Sequence, residues 1–494
     1  MKKLFLLFPV LLSLWSCVSK KTENPVLRIE GGQVQGVLAE NPGVYVYRGI
    51  PYAAPPIGDL RWKEPQPVVA WDSVRVCDKF GHPGYQAVHY PGFYASEWGY
   101  GDEAPYSEDC LYLNVWTKAP GDVNRKLPVA LWIHGGGYRE GWGSEPEFDG
   151  QEWASKDVVL VSINYRLGIF GFMTHPELSA ESPHHVSGNY GILDQIQSLK
   201  WIKENIAQFG GDPDNVTIFG QSAGAGSVRT LCQSPLARGL FHKAVIMSGG
   251  GINIPATDES EAKPAVPANR FFMYNPSLAE SEAETKKVMD WAGLTDLSKL
   301  RAASTEVMYT VGTLYNMVTK DDVFLMQRPI IDGYVCTQSF DEATRAGTIA
   351  DIPYMIGYTL NDMGSMGPGI AEFCKVRESQ GDKAWAYEFA RPLPDDGKHP
   401  DITNRLKGAF HSSDLWFVFK SLKHCWRPWT QGDWDLSEKM ITAWTNFAKY
   451  GDPNGQAAEA TWTPCTAQNP KFMLFKLDEN DAEHSEMGEP ILPE

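Results

Sequence analysis

Basic residues are in short supply in this chain of 494 residues. Lysine and arginine together number 44, against 61 aspartate and glutamate residues, which gives a formal net charge of -17 at pH 7. No basic patch stands out that would neutralise phosphate groups, so we do not expect a nucleic acid as partner. The excess of acidic side chains favours solubility instead.

Low-complexity segments, internal repeats and long hydrophobic runs are also missing. Beyond the first 15 residues, no stretch is long and apolar enough to cross a bilayer. Hydrophobic residues make up 43% of the chain and charged residues 21%. This balance predicts a packed globular core rather than disorder. The length suits one large α/β domain with insertions, although it also allows more than one domain.

Cysteine is sparse, and its spacing does not suit a metal. The eight cysteines show no C-x-x-C motif and no cysteine–histidine ligand spacing, so we expect no zinc or other metal site. Cys77 and Cys110 are the leading candidates for a disulfide, although one sequence leaves the connectivity open. If Cys17 carries lipid, seven cysteines remain and at least one thiol is unpaired.

The N-terminus has the layout of an export signal. Two lysines precede an apolar run over residues 4–15 that is too short to span a membrane. The run ends in Leu-Trp-Ser-Cys, closing at Cys17, which resembles the lipobox of bacterial lipoproteins. We therefore predict a lipoprotein-type signal peptide at 1–16, lipidation of Cys17 in the cell envelope, and a linker at 17–25. Plain secretion or a periplasmic location is the alternative, and either way the protein is exported.

The most informative stretch is the pentapeptide G-Q-S-A-G at residues 220–224, centred on Ser222. A segment rich in β-branched and aromatic residues, typical of a buried strand, precedes it, and a proline-free segment that suits a helix follows it. A serine between strand and helix, with glycine two positions to either side, fits the nucleophile elbow G-x-S-x-G. An ordinary turn is the alternative for so short a pattern. The elbow makes Ser222 the candidate nucleophile.

Strand and helix signals alternate along most of the chain, which predicts an α/β fold with a large, mostly parallel central sheet flanked by helices. Residues 193–209 carry apolar side chains at helical spacing, and a double glycine ends that helix. Residues 255–326 are polar and helical in pattern, as a cap inserted into a single domain of residues 26–494 would be. Strands are predicted at residues 127–133, 158–163, 215–219, 243–247 and 353–357, after a small β meander at 26–46.

A run of glycines follows the apolar strand at 127–133. His134 is succeeded by three glycines, whose backbone N–H groups no side chain covers. Donors aimed at a developing oxyanion contribute about 3–4 kcal/mol each in acyl transfer. A hinge that merely permits tight packing is the alternative, and the presence of the elbow favours an oxyanion hole.

Four long motifs carry a resemblance to a known family. They are G-I-P-Y-A-A-P-P from Gly49, the segment 107–116, N-Y-R-L-G-I-F-G from Asn164, and the segment 209–224 that ends in the elbow. In these motifs the chain resembles the type-B carboxylesterase and cholinesterase family of α/β-hydrolases, over residues 26–476. The resemblance implies an α/β-hydrolase fold with helical cap insertions.

The resemblance also nominates the other residues of a catalytic site. Gly136, Gly137 and Ala223 would be the oxyanion donors. The segment G-A-F-H-S-S-D-L-W-F-V-F resembles the family segment that carries the catalytic histidine, which makes His411 the candidate base. The acid is expected between serine and histidine in chain order, and Asp362 is the candidate there.

The candidate acid departs from the family pattern. Asp362 and Met363 stand where the family usually has glutamate followed by glycine. Aspartate can orient a histidine equally well, but its side chain is one methylene shorter. If this segment is misaligned, Asp332 or Asp414 is the alternative acid.

Two further departures lie elsewhere. Gln221 precedes the nucleophile where the family often has glutamate, so one negative charge is missing from the expected pocket. Gly84 stands where the family often has a disulfide cysteine, which leaves the pairing of Cys110 open.

Contacts with the substrate are expected from four residues. The loop before the 107–116 motif resembles the cholinesterase loop whose tryptophan faces a quaternary ammonium, and Trp98 takes that place here. A tryptophan face attracts a cation by roughly 0.5–2 kcal/mol, so we expect Trp98 to line the pocket and favour cationic or aromatic alcohol groups. Packing under an irregular loop is the alternative. Tyr138, Gln221 and Trp416 are the other predicted contacts.

Together these residues predict an exported serine carboxylesterase that acts on small-molecule esters through an acyl-enzyme, without a cofactor. A specialised esterase for acylated glycans or plant phenolics is one alternative, because specificity lies in cap and loop side chains. A non-catalytic adhesion-type relative is the other, and the complete set of serine, aspartate and histidine argues against it. Sequence alone leaves the oligomeric state open.

Overall fold

A computed structural model describes residues 24–87, 97–98, 105–254, 275–321, 328–398 and 407–491. The predicted signal peptide and Cys17 lie outside the described residues. None of the described helices is long and apolar enough to span a bilayer.

The described strands form two sheets, one of eleven strands and one of three. The large sheet has the order β14-β13-β12-β11-β10-β9-β7-β8-β6-β4-β3, and the small one the order β1-β2-β5. The strands are β1 Val26–Ile29, β2 Gly32–Gln35, β3 Val37–Leu38, β4 Tyr45–Pro51, β5 Val74–Val76, β6 Tyr112–Thr117, β7 Leu127–Ile133, β8 Val159–Ile163, β9 Gly211–Gln221, β10 Lys243–Met247, β11 Tyr354–Thr359, β12 Ala384–Phe389, β13 Phe472–Phe475 and β14 Glu486–Gly488.

The middle of the large sheet is parallel. Strands β8, β7, β9, β10, β11, β12 and β13 run in one direction, and the remaining pairs at the two edges are antiparallel. The parallel strands are almost wholly buried because helices cover both faces. The predicted mostly parallel α/β fold is confirmed. The predicted meander at 26–46 is divided, since β1 and β2 belong to the small sheet and β3 and β4 to the large one.

The helices lie between the strands, as the alternating pattern predicts. The helix predicted over 193–209 is α4, which continues as a 3-10 turn over Ile206–Phe209 and ends at Gly210 with φ +77°. The helices are α1 Gln151–Ser155, α2 Gly168–Phe172, α3 Pro176–Glu181, α4 Tyr190–Asn205, α5 Ala223–Gln233, α6 Leu278–Trp291, α7 Leu297–Ala302, α8 Thr305–Thr319, α9 Phe340–Arg345, α10 Gly367–Ser379, α11 Leu415–Val418 and α12 Gln431–Tyr450.

Three helices, α6, α7 and α8, fill the described part of the segment predicted as a cap. Arg61, in the loop after β4, ties this segment to the main body. Its Nη1 donates to the carbonyl of Ala303 at 2.8 Å, and its Nε donates to Glu108 at 2.7 Å. The end of α7 therefore rests on the loop that carries Arg61.

The predicted disulfide is wrong. Cys77 and Cys110 are both buried free thiols, and they face different surroundings. The Cys77 Sγ lies 3.7 Å from the carbonyl of Arg75. Cys110 lies near the Asp194 carboxylate, which together with burial raises the pKa of its thiol. The described residues also contain no group of three or more metal-ligating side chains.

Candidate active site

Ser222 occupies the turn between β9 and α5. Its φ of +58° and ψ of -122° lie outside the regions that side chains ordinarily adopt. The turn is held by its backbone, since the Ser222 N–H donates to the carbonyl of Met247 at 2.9 Å and its carbonyl accepts from Gly226 at 3.0 Å. A non-glycine residue kept in such a conformation is characteristic of functional sites.

The two glycines of the elbow are required by close backbone approach. A Cβ at Gly224 would lie 2.0 Å from the carbonyl oxygen of Ile133, and one at Gly220 would lie 2.6 Å from the backbone of Gly224. Both obstacles are main-chain atoms of packed elements, so neither can move aside. The strand and helix therefore cross closely enough to lift Ser222 above the sheet.

The glycine run after β7 folds over the elbow. A Cβ at Gly135 would lie 2.8 Å from the carbonyl oxygen of Gln221. Gly136 and Gly137 follow with φ of +91° and +63°, and both line the pocket that contains Ser222. Ala223 is the first residue of α5 and is fully buried. The predicted oxyanion donors are thus grouped around the serine.

His411 and Asp362 meet at the same end of the sheet. The His411 Nδ1 lies 2.6 Å from Asp362 Oδ1, and the carboxylate is fully buried. Its other oxygen accepts from Thr359 Oγ1 at 3.1 Å, and Met363 N donates to Oδ1 at 2.7 Å. Burial alone would raise the pKa of Asp362, but His411 and the donated hydrogen bonds outweigh it, so the pKa is lowered. The acid is therefore ionised and oriented toward the imidazole.

Two hydrogen bonds bring the two loops together, one between backbone groups and one to the Asn361 side chain, and the sequence gives no direct sign of them. Asn361 N donates to the carbonyl of Ala409 at 2.9 Å, and Ala409 N donates to Asn361 Oδ1 at 2.9 Å. At Gly408, with φ +74°, a Cβ would lie 2.0 Å from Asn361 Oδ1. This close approach allows the shorter aspartate to reach the imidazole. We call these contacts the Asn361 bridge.

Gln221 faces the other side of the imidazole. Its Nε2 lies 3.2 Å from His411 Nε2. Because Nδ1 donates to the Asp362 carboxylate, Nε2 is the acceptor and the Gln221 amide donates to it. Gln221 therefore favours the His411 tautomer whose Nε2 is an acceptor.

The pocket above Ser222 has a volume of about 190 Å³. It combines a glycine-rich wall, the serine and histidine, two aromatic rings and several charged side chains. Its lining consists of Trp98, Gly135, Gly136, Gly137, Arg139, Glu140, Gly141, Glu145, Glu147, Phe148, Gln221, Ser222, Met363, His411, Ser412 and Leu415.

The four predicted substrate contacts divide into two pairs. Trp98 and Gln221 line the pocket. Tyr138 and Trp416 lie behind that lining, which corrects their prediction. Tyr138 is buried with its ring centroid 5.2 Å from that of Phe172. Trp416 is fully buried, and its indole ring packs edge-on against Trp98 at 5.5 Å between centroids. Both support the pocket wall rather than form its surface.

The two alternative acids have other surroundings. Asp332 Oδ1 accepts from the backbone N–H groups of residues 334, 335 and 336, so it holds a turn. Asp414 is fully buried and accepts from Tyr387 at 3.1 Å, and burial, with the nearby Asp362 charge, raises its pKa to about 7. Neither carboxylate replaces Asp362 at the imidazole.

Comparison with known proteins gives the family. A family model described as the carboxylesterase family matches residues 23–373 and 364–489. The chain belongs to this family. The fumonisin B1 esterase of Sphingopyxis macrogoltabida is 36% identical, over 93% of this chain and 88% of that protein. The para-nitrobenzyl esterase of Bacillus subtilis is 32% identical, over 95% of this chain and 99% of that one.

Solved esterase structures agree with this assignment. A carboxylesterase of Geobacillus stearothermophilus has a TM-score of 0.72 and 30% identity, over 94% of this chain and 97% of that one. A thermophilic para-nitrobenzyl esterase has a TM-score of 0.76 and 26% identity, over 94% and 98%. The α/β-hydrolase fold and the resemblance to type-B carboxylesterases are therefore confirmed. The protein is a carboxylic ester hydrolase of the carboxylesterase family, acting on small-molecule esters.

Proposed function

We propose that Ser222, His411 and Asp362 are the catalytic triad of this esterase. The contact that carries the proposal is the 2.6 Å pair between His411 Nδ1 and Asp362 Oδ1. It lies beside the pocket that His411 shares with Ser222 on its strained turn. Such a pair fixes the imidazole so that Nε2 faces the nucleophile.

In the acylation step, Ser222 Oγ attacks the ester carbonyl carbon while His411 Nε2 takes the hydroxyl proton. The C–O bond to the alcohol then breaks, and His411 returns its proton to the leaving alkoxide oxygen. The acyl group remains on Ser222. Gln221 releases Nε2 when the serine proton arrives, as catalytic hydrogen bonds tighten only once substrate is bound.

The tetrahedral intermediate places negative charge on the former carbonyl oxygen. The backbone N–H groups of Gly136, Gly137 and Ala223 are the proposed donors to it. Because Ala223 is the first residue of α5, the positive end of the helix dipole also stabilises this negative charge. Deacylation repeats these steps with water in place of the alcohol. His411 takes a proton from water and the resulting hydroxide attacks the acyl carbon. Ser222 then leaves with its proton restored by His411.

Covalent labelling of the nucleophile tests the proposed triad. A fluorophosphonate probe should modify one residue of the wild-type protein, and peptide mass spectrometry should place the adduct on Ser222. Ser222→Ala should lose both labelling and ester turnover, while its thermal unfolding stays close to wild type. Labelling that persists in Ser222→Ala, or an adduct on another serine, would refute the proposal.

We also propose that the protein is exported and anchored through lipid on Cys17, because its first residues combine two lysines, a short apolar run and a lipobox-like ending. Cys17→Ser should move the protein from the membrane fraction of the native host to the soluble exported fraction. Detection of an unmodified N-terminus away from Cys17 by mass spectrometry would rule the anchor out.

A further inference from the structure

Two buried thiols from distant parts of the chain lie against each other. Cys374, on α10, is 0% exposed, and Cys465, in the loop before β13, is 2% exposed. The two side chains are hydrogen-bond partners. The other five cysteines that the structure describes have neighbours other than thiols. The fold therefore brings together one pair of cysteines, and it is not the pair that the sequence suggests.

Backbone contacts hold the two segments side by side. Cys465 N donates to the carbonyl of Ala384, the first residue of β12, at 2.9 Å. One turn beyond Cys374 on α10, Glu378 Oε2 accepts from Ala467 N at 2.7 Å. Residues four apart on a helix lie on one face, so α10 presents both Cys374 and Glu378 to the loop of Cys465. The thiol pair is thus placed by main-chain contacts on either side of it.

As free thiols the two side chains would add little to stability. Sulfur is a weak donor and a weak acceptor, so a hydrogen bond between two thiols is a poor one. A covalent bond at the same place would close a loop of about 90 residues, which removes much of the conformational freedom of the unfolded chain. Packing as two small apolar side chains is the alternative.

The position of the pair bears on the active site. Asp362 lies just before α10, which begins at Gly367, and the chain between the two cysteines carries β12, His411 and α12. A bond between Cys374 and Cys465 would therefore close a loop that contains the base and fasten it to the helix that follows the acid. It would add a covalent link to the hydrogen bonds of the Asn361 bridge.

We propose that Cys374 and Cys465 are joined by a disulfide when the chain folds under oxidising conditions, and that this bond stabilises the folded protein. The pairing goes beyond the esterase activity and does not depend on it. Its presence in the native host rests on the proposed export, because disulfides form and persist in oxidising compartments.

The oxidant is itself a disulfide, either a small molecule or a disulfide oxidoreductase of the compartment. The thiolate of one cysteine attacks the S–S bond of the oxidant, forms a mixed disulfide and releases one thiolate. The second cysteine thiolate then attacks the protein sulfur of the mixed disulfide, and the second thiolate leaves. The protein loses two protons and two electrons, and the oxidant is reduced to two thiols. Since neither side chain is accessible in the folded protein, these steps precede the final packing of α10.

Peptide mapping identifies the bond directly. The full chain is produced in a bacterial host with an oxidising cytoplasm, so that it meets an oxidant wherever it folds. It is unfolded in urea with an excess of alkylating reagent and digested without reduction. Mass spectrometry should find the peptides of Cys374 and Cys465 joined, about 2 Da lighter than their sum because two hydrogens are lost. Alkylation of both cysteines, or a bond from either to another cysteine, would overturn the proposal.

Thermal unfolding tests the effect of the bond. A phosphine reductant should lower the Tm of the wild-type protein by about 5 °C, because the reduced chain regains the freedom of the open loop. The double variant Cys374→Ala/Cys465→Ala should have the same Tm with and without reductant. Cys232→Ala is the matched control, since it removes another fully buried thiol and should keep the wild-type response. A wild-type Tm that the reductant leaves unchanged would overturn the stabilising role.

These results are separate from those that test the other proposals. The mapping needs no variant, so it decides the pairing even where the double variant does not fold. Fluorophosphonate labelling of Ser222 reports on the triad whether the bond forms or not. A bond found in the oxidising host, with both thiols free in the native host, would refute the proposed export and leave the pairing intact.

Discussion

Ser222 and Asp362 are held by two different kinds of structure. Ser222 is positioned by five consecutive residues and by the neighbouring strand β7, whose Ile133 carbonyl limits Gly224. Asp362 reaches His411, 49 positions along the chain, only because the Asn361 bridge joins their loops. The elbow is thus specified by a short sequence pattern that packs on neighbouring strands, whereas the acid–base pair depends on contacts between two distant loops.

This difference has a consequence for substitutions. The elbow is surrounded by backbone atoms that cannot yield, so an added methyl group there must displace a strand or helix. The contacts of the Asn361 bridge include a flexible side chain, so changes there can be absorbed in part. Errors in the elbow should therefore affect folding and catalysis together, and errors in the bridge should mainly affect turnover.

The largest expected effect on turnover within the acid–base pair is that of Asp362→Asn. The neutral amide neither fixes the His411 tautomer nor stabilises the imidazolium as a carboxylate does, so kcat should fall by about 10⁴-fold. Turnover of a neutral chromogenic ester measures it, with Asp332→Asn as control because the Asp332 carboxylate accepts from a turn and from Asn189 rather than from His411. Retained activity in Asp362→Asn, with loss in the Asp414 or Asp332 variant, would mean that the acid has been misassigned.

Glycine substitutions test the comparison directly. Gly224→Ala sets a Cβ 2.0 Å from a backbone carbonyl, and Gly408→Ala sets one 2.0 Å from the Asn361 side chain. We expect Gly224→Ala to lose well over 3 kcal/mol of stability and about 10²-fold or more in kcat/KM. Gly408→Ala, strained by its positive φ, should lose about 1–3 kcal/mol. Urea unfolding and kcat/KM give both values, and a Gly408 variant less stable than the Gly224 variant would reverse the comparison.

A smaller effect is expected when the bridge loses its side chain. Asn361→Ala removes the acceptor for Ala409 N, so the acid loop should relax slightly away from His411. We expect kcat to fall by about tenfold, less than the roughly 10²-fold cost of a full 1 Å misplacement, because the Asn361 N–H still donates to Ala409. Asn361→Asp keeps an oxygen at the same place and should recover most of the rate. Equal losses in both variants would show that the amide acts through something other than this hydrogen bond.

Substitution of Asp414 should have the smallest effect on turnover. It should instead change how the free energy of unfolding depends on pH. Its pKa of about 7 lies above the value near 3.9 of an unfolded aspartate, so the native state holds a proton that the unfolded state releases. Stability is therefore lost as pH rises from about 4 to 7, by on the order of 4 kcal/mol at about 1.4 kcal/mol per unit.

Asp414→Asn keeps an acceptor for the Tyr387 hydroxyl and removes the titration. Its free energy of unfolding should exceed that of wild type increasingly between pH 4 and 7, as measured by urea unfolding at several pH values. Parallel curves for the two proteins would mean that Asp414 ionises as easily in the folded protein as in the unfolded one.

The sequence predicts the parts of this enzyme that are local. The elbow at Ser222, the glycine run at Gly136 and the parallel strands each have a short pattern with a direct physical cause. The burial of Tyr138 and Trp416 behind the pocket lining cannot be predicted from a local pattern, because it depends on which segments cover them. The same holds for the Asn361 bridge and the burial of the Glu147 carboxyl, which arise only once distant loops meet.

The predicted disulfide fails for a related reason. The sequence does not show where the side chains of Cys77 and Cys110 point, and in the structure both thiols are free. Cys77 lies at the Arg75 carbonyl and Cys110 near the Asp194 carboxylate. Nothing in the segment before Phe148 indicates that the Glu147 carboxyl is buried at the pocket that Ser222 also lines. Such features follow from packing, and pattern reasoning has no access to them.

The most direct test of the account asks whether Ser222 and Asp362 act as one unit through His411. The kcat values of Ser222→Ala, Asp362→Asn and the double variant are measured on the same neutral ester. Members of one catalytic unit are strongly non-additive, so the double variant should be no more than about threefold slower than Ser222→Ala alone. Losses that multiply would show two independent contributions and contradict the proposed triad.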